Sequence, residues 1–522
     1  MKLTRRQFLG GLLATAACAG GDDPGATDQP PTTAAPTPPS TGAPTGTTAD
    51  LPPDLAAVQL AADPFTLGVA SGDPDSTSVV LWTRLAPDPL ARGGGMGEPV
   101  TAIAVEVATD DTFTELVVGG RFPVDAERGH SVHALVEGLA PATSYSYRFR
   151  IGAFTSPVGR TRTTPDAEEL VPVALALASC QRYGDGHYVA HRDMATADLD
   201  VVVWVGDYIY ERDDELVRSL PDGAPEEATD LDGYRARYAT ARLDPDLAAN
   251  HAAHPWVVTW DDHEVRNNHT GAPGSVPEER RAAAYQAWWE HQPVRLAPPE
   301  GPSLAVHRSV RLGATVELLV LDTRQHRSAP ACDGGAIDVD CEALADADRT
   351  MLGPAQEAWL AEAAAASTAR WAAVAQSVVV SPVEVLGTIN ADAWDGYPAA
   401  RQRLLDALAP VRNAVVLTGD VHVQVVADVL AADGATVASE LVTASVTSIP
   451  APTYRDLTGL LPTVVPAVQH AADVRGWVRC DIDGDRWATT FREVSDVADP
   501  AGTVTDGARF VIADGTPGAR RA

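Results

Sequence analysis

Two short stretches of the chain place metal-binding side chains directly after apolar runs. Asp207 and Tyr210 follow one Val-rich run, and Asp420 and His422 follow another; each Asp comes straight after a Gly. Such runs are typical of buried strands in a parallel sheet. Ligands of open α/β sheets bind beyond the carboxyl ends of the strands. We therefore expect these four side chains to share one site, where carboxylate, imidazole and phenolate together suit a hard, highly charged metal ion.

A cysteine stands at a third predicted strand end. Cys180 follows the apolar stretch 171–178, which is typical of a strand. Three interpretations remain open from the residues alone: a buried structural thiol, a thiolate metal ligand, and a cysteine nucleophile.

The segment 260–268, Trp-Asp-Asp-His-Glu-Val-Arg-Asn-Asn, is dense in side chains that could bind metal or move protons. It follows the apolar stretch 256–259, so a solvated acidic turn fits poorly. His263 could act as a general acid, and an Asn could offer a neutral oxygen to a hard ion. Arg324 follows another predicted strand and could bind phosphate in a bidentate manner, or pair with Asp322 as a structural ion pair.

Composition excludes some functions and permits others. The chain has 522 residues and a formal net charge of −32, from 71 acidic and 39 basic residues. A polyanion of this kind repels nucleic acid, which argues against sequence recognition of DNA or RNA. A small anionic substrate held by metal ions inside one pocket is still compatible with an acidic surface.

The N-terminus, residues 1–18, is predicted to be a twin-arginine export signal. Arg5-Arg6 precedes a short apolar run, and such signals are read by the export machinery rather than serving as anchors. The sequence Thr-Ala-Ala before Cys18 is similar to a lipoprotein box. Lipidation of Cys18 would attach the chain to a membrane, whereas simple cleavage would release it. We expect an exported protein at the cell surface or in the periplasm, with residues 19–61 as a disordered tether rich in Pro, Thr and Ala.

Two folded regions follow the predicted tether. Residues 62–165 contain short strand-like stretches between Gly, Pro and Asp turns, which favours a small β-sandwich. Residues 170–515 alternate strands with helices; the predicted strands and helices include 201–205, 277–291, 316–321, 354–367, 374–380, 414–417 and a hairpin over 476–492. Cys332 and Cys341 could form a local disulfide in an oxidising compartment.

Taken together, these motifs resemble the alkaline phosphatase D (PhoD-like) family of the metallophosphoesterase superfamily. The resemblance covers about residues 62–515 and rests on seven stretches: 65–74, 179–181, 206–211, 260–268, 321–324, 394–397 and 419–422. It implies an α/β fold, a metallophosphoesterase-type β-sandwich flanked by helices. A small all-β, Ig/fibronectin-like sandwich would precede it.

The resemblance also implies a centre that holds Fe³⁺ and Ca²⁺. The residues that match its iron ligands are Cys180, Asp207, Tyr210 and His422. Asp207 would bridge to calcium, joined by Asp420 and an Asn; Asn267 and Asn268 both fit the motif, and we favour Asn268.

The function expected from these observations is hydrolysis of a small phosphate ester. His263 would protonate the leaving group, Asp262 would orient it or the attacking water, and Arg324 would hold the phosphoryl group. One alternative is a phosphodiesterase of the phospholipase D type, acting on lipid or cell-wall phosphodiesters. An alternative from another class is a non-catalytic surface-binding protein.

Overall fold

A computed structural model describes residues 46–47, 51–97 and 99–522. The predicted export signal and Cys18 lie outside these residues. Among the described residues, no helix is both long enough and apolar enough to cross a membrane.

The N-terminal region is mostly β-strand. Its first sheet has the order β1-β5-β4-β7-β8, with β9 also paired to β7. The other three strands of the region, β2, β3 and β6, pack against that sheet around a shared core that includes Val79, Val105 and Phe149. The strands are β1 Gly46–Thr47, β2 Val69–Gly72, β3 Ser78–Arg84, β4 Ala102–Ala108, β5 Glu115–Pro123, β6 Ser131–Glu137, β7 Ser144–Ile151, β8 Phe154–Thr155 and β9 Gly159–Arg162.

The predicted tether reaches too far along the chain. A short helix, α1 (Pro53–Ala56), lies within it, and Leu55 is buried against Ala102 and Ala104 of β4. The assignment of residues 51–61 to a disordered segment is therefore wrong. The Pro-rich composition of this segment suggested disorder, but burial of the single side chain of Leu55 holds the short segment on the sheet.

A ten-stranded sheet forms the first half of a two-sheet sandwich. Its order is β25-β24-β23-β22-β10-β11-β12-β2-β3-β6, so three strands of the N-terminal region continue it. The neighbours β10, β11, β12 and β2 are parallel to one another. The strands not yet given are β10 Val173–Ala178, β11 Val201–Val205, β12 Pro255–Thr259, β22 Gly476–Ile482, β23 Arg486–Val494, β24 Val504–Ala513 and β25 Thr516–Arg521.

A seven-stranded sheet forms the second half, in the order β13-β14-β16-β18-β20-β19-β21. Its strands are β13 Arg308–Leu312, β14 Val316–Val320, β16 Trp371–Ala375, β18 Ala414–Thr418, β19 Gln424–Leu430, β20 Thr436–Val442 and β21 Val468–Ala472. Val203, Leu318 and Val415 are among the residues of the core between the two sheets. Strands from both sheets are apolar on each face, as buried parallel strands are.

Helices cover the outer faces of both sheets. Those packed on the ten-stranded sheet are α2 Val189–Thr196, α3 Leu231–Arg242, α4 Pro245–Ala253 and α5 Glu278–His291. Those packed on the seven-stranded sheet are α6 Gly353–Ala366 and α7 Pro398–Leu408. Two short helices, α8 Pro452–Thr458 and α9 Leu461–Val464, precede β21. The predicted α/β fold is confirmed.

A small two-stranded sheet stands apart from these sheets. Strand β15 (Ala336–Asp338) pairs with β17 (Thr388–Asn390), and the predicted disulfide between Cys332 and Cys341 closes the loop that carries β15. Short 3₁₀ turns complete the described elements: Arg92–Gly95, Tyr183–Asp185, Ala331–Asp333, Glu342–Ala345 and Trp394–Gly396.

One predicted strand ends early. The apolar stretch 374–380 was expected to be extended throughout, but β16 ends at Ala375. The side chain of Gln376 then bonds the backbone of Val378, donating to its carbonyl and accepting from its N–H at 3.0 Å. Val378 remains buried in the core beneath α6 and α7. Burial alone therefore explains the apolar residues beyond the strand.

Candidate metal centre

The carboxyl ends of strands from both sheets bring the predicted ligands together. Cys180 follows β10, Asp207 follows β11 and Asp420 follows β18. The turns after β10 and β11 are joined, since the Cys180 N–H donates to the Gly206 carbonyl at 3.2 Å. Gly206 has a φ of 101°, and a Cβ there would lie 2.4 Å from the Asp261 Cβ. The close approach of the turn after β12 therefore requires a glycine before Asp207.

The backbone of the site is strained at its proposed ligands. Cys180, Asp207, Asn268, Asp420 and His422 all have φ between 54° and 69°. Residues other than glycine seldom adopt this left-handed region, which costs on the order of 1 kcal/mol or more at each position. Five such residues among six proposed ligands indicate that the fold maintains this strain for a function.

The first cluster contains a thiol, a carboxylate and an imidazole. The ligand atoms of Cys180, Asp207 and His422 lie within 4.8 Å of one another. The Tyr210 hydroxyl joins them, 2.8 Å from Asp207 Oδ2 and 3.0 Å from His422 Nε2. These four side chains are the predicted iron ligands, and the structure places them around one point.

The second cluster shares Asp207 with the first. Ligand atoms of Asp207, Asp262 and His263 again lie within 4.8 Å of one another. Both clusters open into a pocket of about 340 Å³, whose other lining residues include Arg182, Asn267, Asn268, Asn390, Asp392, Asp420, Ile449, Ala451 and Tyr454. Asp207 is therefore the one carboxylate that belongs to both clusters of the described residues.

Backbone contacts orient His422. Its Nδ1 lies 3.1 Å from the Ile449 carbonyl, which can only accept a hydrogen bond. Nδ1 therefore carries the proton, and Nε2, beside Tyr210, keeps a free lone pair for a metal. The Ile449 backbone is held in turn, because its N–H donates to Asp185 at 3.0 Å.

Glu264 holds the backbone of the site in place through hydrogen bonds. Its carboxylate accepts hydrogen bonds from the backbone N–H groups of Asp207 at 3.1 Å, Tyr208 at 2.7 Å and Asp261 at 2.9 Å. Glu264 is 1% exposed and does not line the pocket. It therefore joins the turns after β11 and β12 rather than contacting an ion.

Arg324 lies beneath the pocket and not in it. Its guanidinium has no exposed surface and contacts Asp261 at 2.5 Å and Asp392 at 2.9 Å. The structure does not support the predicted role in holding a phosphoryl group, because four carboxylates surround the guanidinium and it does not line the pocket. These are Asp261, Asp262, Asp392 and Asp420. The alternative pairing with Asp322 is also wrong, because the contact between the two residues is made by the backbone N–H of Arg324 and not by its guanidinium. Arg324 is a structural ion-pair partner of other carboxylates.

Several of the proposed ligands are buried beside negatively charged side chains. Burial, together with the charge of Asp207, raises the pKa of the Cys180 thiol and of the Tyr210 phenol well above their usual ranges. Burial and neighbouring carboxylates likewise raise the pKa of Asp420. Among the described residues, the buried Asp207 Oδ1 has no hydrogen-bond partner. A bound cation would lower the pKa of each of these groups, and it would give Asp207 Oδ1 a partner. The residues therefore fit a metal centre.

Neighbouring carboxylates favour the protonated form of His263. Burial lowers its pKa, but the charges of Glu211, Asp262 and Asp207 outweigh that effect and raise the pKa to about 10. Its Nδ1 donates to Glu211 at 2.7 Å, and its ring lies on that of Tyr210 with centroids 4.2 Å apart. A protonated imidazole on the pocket wall is suited to donating a proton.

Sequence reasoning missed several residues around the site. Arg182 lines the pocket only two positions after Cys180, so its proximity was visible in the sequence. Asp392 binds both Arg324 and Arg327, and no local pattern marks it. Ser448 contacts Tyr210 across 238 residues of chain, a separation that no motif reveals.

The fold is that of a metallophosphoesterase. Two sheets face each other with helices outside, and acids, imidazoles and a thiol cluster at the ends of the strands. A purple acid phosphatase, PPD1 from yellow lupin (Lupinus luteus), has the same fold, with a TM-score of 0.53 and 12% identity over 85% of this chain and 73% of that one. At this identity the similarity establishes the fold alone.

The family follows from closer matches. A model of the PhoD-like phosphatase matches residues 175–491, and a model of the PhoD-like phosphatase N-terminal domain matches residues 51–165. The chain is 40% identical to alkaline phosphatase D of Bacillus subtilis (strain 168) over 494 residues, which cover 89% of this chain and 84% of the relative. The solved structure of PhoD has a TM-score of 0.83 and 39% identity over 89% of this chain and 93% of its own. The chain belongs to the PhoD-like phosphatase family.

Family membership establishes the class of reaction. The chain is a hydrolase acting on phosphoric ester bonds, as the sequence predicted. The alternative of a non-catalytic surface-binding protein is wrong.

Proposed function

We propose that this phosphatase is exported and hydrolyses small phosphate esters at a centre of one ferric ion and calcium. The observation that carries the proposal is the Tyr210 oxygen, 2.8 Å from Asp207 and 3.0 Å from His422, in contact with the cluster that holds Cys180. Phenolate, thiolate and imidazole together favour a transition metal over magnesium or calcium, and phenolate favours its ferric form.

The residues divide between two ions. Cys180, Asp207, Tyr210 and His422 would hold the iron, and Asp207, Asp420 and Asn268 would hold calcium, which accepts irregular sets of oxygen ligands. When bound, the ions would neutralise phosphoryl charge and activate water as the nucleophile.

Side chains of the pocket would perform the other steps. His263, oriented by Glu211, would donate its proton to the leaving alkoxide. Asp262, on the same wall, would orient the attacking water or the leaving group. Arg182 replaces Arg324 as the cation that would hold the phosphoryl group, because it lines the pocket and its guanidinium is fixed over the Tyr210 ring at 4.4 Å.

A second candidate is a phosphodiesterase, including the phospholipase D type. Part of the pocket rim is weakly polar, formed by Ile449, Ala451 and Tyr454. Such a wall could accept the second ester group of a diester, a group that a monoester lacks. The same ligands and the same His263 would serve both reactions.

Location is proposed from the N-terminal residues. The twin-arginine motif would export the protein through its machinery, and lipidation at Cys18 would attach it to a membrane outer face. An export route for folded proteins suits an enzyme that must acquire metal before it leaves the cytoplasm. Labelling with a fatty-acid analogue, with Cys18→Ser as control, tests the attachment.

Metal analysis combined with a substrate panel tests the proposal. We expect iron and calcium in the purified protein, a visible phenolate-to-iron absorption band, and loss of the band in Tyr210→Phe. A calcium-selective chelator should lower the rate while iron stays bound, and calcium should restore the rate better than magnesium. Rates on 4-nitrophenyl phosphate and bis(4-nitrophenyl) phosphate separate the two candidates. A colourless, iron-free and fully active protein would contradict the iron assignment.

A further inference from the structure

Ser448 is a buried serine whose hydroxyl contacts a proposed metal ligand. Its Oγ lies 2.8 Å from the Tyr210 oxygen, and the residue has no exposed surface. It does not line the described pocket, so it cannot contact substrate there. We propose that Ser448 is a positioning residue that donates a hydrogen bond to the Tyr210 oxygen and so sets how strongly that oxygen donates electrons to the metal. The inference rests on the proposed iron centre.

The direction of this hydrogen bond follows from the neighbours of Ser448. Its oxygen already accepts the Arg182 N–H at 3.0 Å, so its single proton must go elsewhere. Two acceptors are in reach, the Tyr210 oxygen and the Cys180 carbonyl at 2.9 Å. The carbonyl already accepts the N–H groups of Thr447 and Ser448 at 3.3 Å each. A phenolate oxygen is the stronger acceptor, because it is charged.

The Ser448 backbone is fixed on several sides. Arg475 donates to the Ser448 carbonyl at 2.6 Å, and the Ser445 hydroxyl bonds the same carbonyl. The Val446 N–H donates to the Ser179 carbonyl at 3.0 Å, which joins this segment to the turn that carries Cys180. Because the segment cannot move independently of the site, the hydroxyl is oriented before any metal binds.

A hydrogen bond at this oxygen has a spectroscopic consequence. It stabilises the filled orbitals of the phenolate, so more energy is needed to move an electron from phenolate to ferric iron. The absorption band therefore lies at shorter wavelength than it would without the bond. Weaker donation from Tyr210 also makes a ferric ion easier to reduce.

The test compares Ser448→Ala with Thr447→Val. In Ser448→Ala we expect the band to shift to longer wavelength while iron content stays that of the wild type. Thr447 is the matched control, because its hydroxyl donates to the Arg182 carbonyl at 2.7 Å and bonds no proposed ligand. The Thr447→Val variant should leave the band in place.

The outcomes separate this inference from the proposed function. A normal iron content with an unmoved band in Ser448→Ala would overturn the role of Ser448 alone. A wild-type protein that holds no iron would overturn the metal assignment and this role with it. Should Ser448→Ala fail to fold, resonance Raman of the wild type gives the second measurement. The phenolate C–O stretching band should shift between H₂O and D₂O, and an unshifted band would refute the hydrogen bond.

Discussion

Asp207 is the residue on which both clusters of metal-binding side chains depend. Its carboxylate belongs to the group with Cys180 and His422 and to the group with Asp262 and His263. Replacement by Asn should lower kcat/KM by on the order of 100-fold or more and reduce the content of both ions, since hard cations require anionic oxygen.

Activity, metal content and circular dichroism of Asp207→Asn should be measured together. The fold should persist, because the side chain is small and its neighbours are unchanged. Asp485→Asn, an exposed change in the turn after β22, is the control. Wild-type activity and metal content in Asp207→Asn would contradict the bridging role.

Arg324 provides a prediction about stability rather than binding. Removing its guanidinium would leave the buried carboxylates of Asp261 and Asp392 without the cation that they share. Breaking a buried ion pair in this way typically costs about 3–5 kcal/mol. Denaturant unfolding of Arg324→Met should show a loss of that order.

Two comparisons sharpen the Arg324 test. Arg412→Ala removes a guanidinium that is 64% exposed and should change the free energy of unfolding by less than about 1 kcal/mol. A stable Arg324→Met protein with weakened binding of inorganic phosphate would restore the role that the sequence suggested.

Most of the proposed ligands could be predicted from local sequence patterns. The residues that hold those ligands in place could not. Cys180, Asp207 and Asp420 were identifiable because each follows a Val- or Ala-rich strand, a local pattern. Arg324 also follows a strand, but the sequence does not reveal which side of a turn faces the pocket. The Ser448 contact spans 238 residues, so only the fold brings that hydroxyl to Tyr210.

At the scale of elements, Glu264 joins the turns after β11 and β12. Three backbone N–H groups donate to its carboxylate. Glu264→Gln replaces one accepting oxygen with an NH₂ group that cannot accept. We expect a loss of about 1–3 kcal/mol in the free energy of unfolding and a 10- to 100-fold loss of metal affinity.

Metal titration and thermal unfolding of Glu264→Gln check this expectation. Glu279→Gln, an exposed change in the first turn of α5, is the matched control. Unaltered metal affinity in Glu264→Gln would show that the turns after β11 and β12 do not need this side chain.

Element boundaries were predictable where a turn follows the strand at once. The stretch 201–205 is β11 as expected, because Gly206 ends it. The stretch 374–380 continued apolar past the end of β16. An apolar residue signals burial, and burial occurs in loops as well as in strands.

At the scale of the whole molecule, buried histidines should make the fold sensitive to acid. His133 of β6 stacks on Trp289 of α5 at 4.0 Å, and burial lowers its pKa to about 4, against partial compensation by the carbonyls of Gln292 and Trp289. The unfolded chain, with a pKa near 6.5, binds the proton more readily. Stability is therefore full above about pH 6.5 and is lost as the pH falls toward 4.

His133→Gln tests this window in metal-free protein. Between pH 7 and pH 5, the wild type should lose about 2 kcal/mol more of its free energy of unfolding than the variant does. Gln59→Ala, an exposed change that involves no titratable group, should follow the wild-type curve. Parallel curves for the wild type and His133→Gln would show that His133 does not contribute.

The continuous ten-stranded sheet has a consequence for how such proteins are inherited. Strand β2 pairs with β12 on one side and β3 on the other, while Arg308 binds Asp73 just beyond β2 at 2.7 Å. A gene fragment that began after residue 165 would encode a protein with the edge of β12 exposed, and unpaired edges invite association with other chains. Recombination at the boundary between the two family models would thus separate halves of one sheet. We therefore expect the N-terminal and catalytic regions to be inherited together, and we do not expect the N-terminal region to be exchanged as a separate module among enzymes.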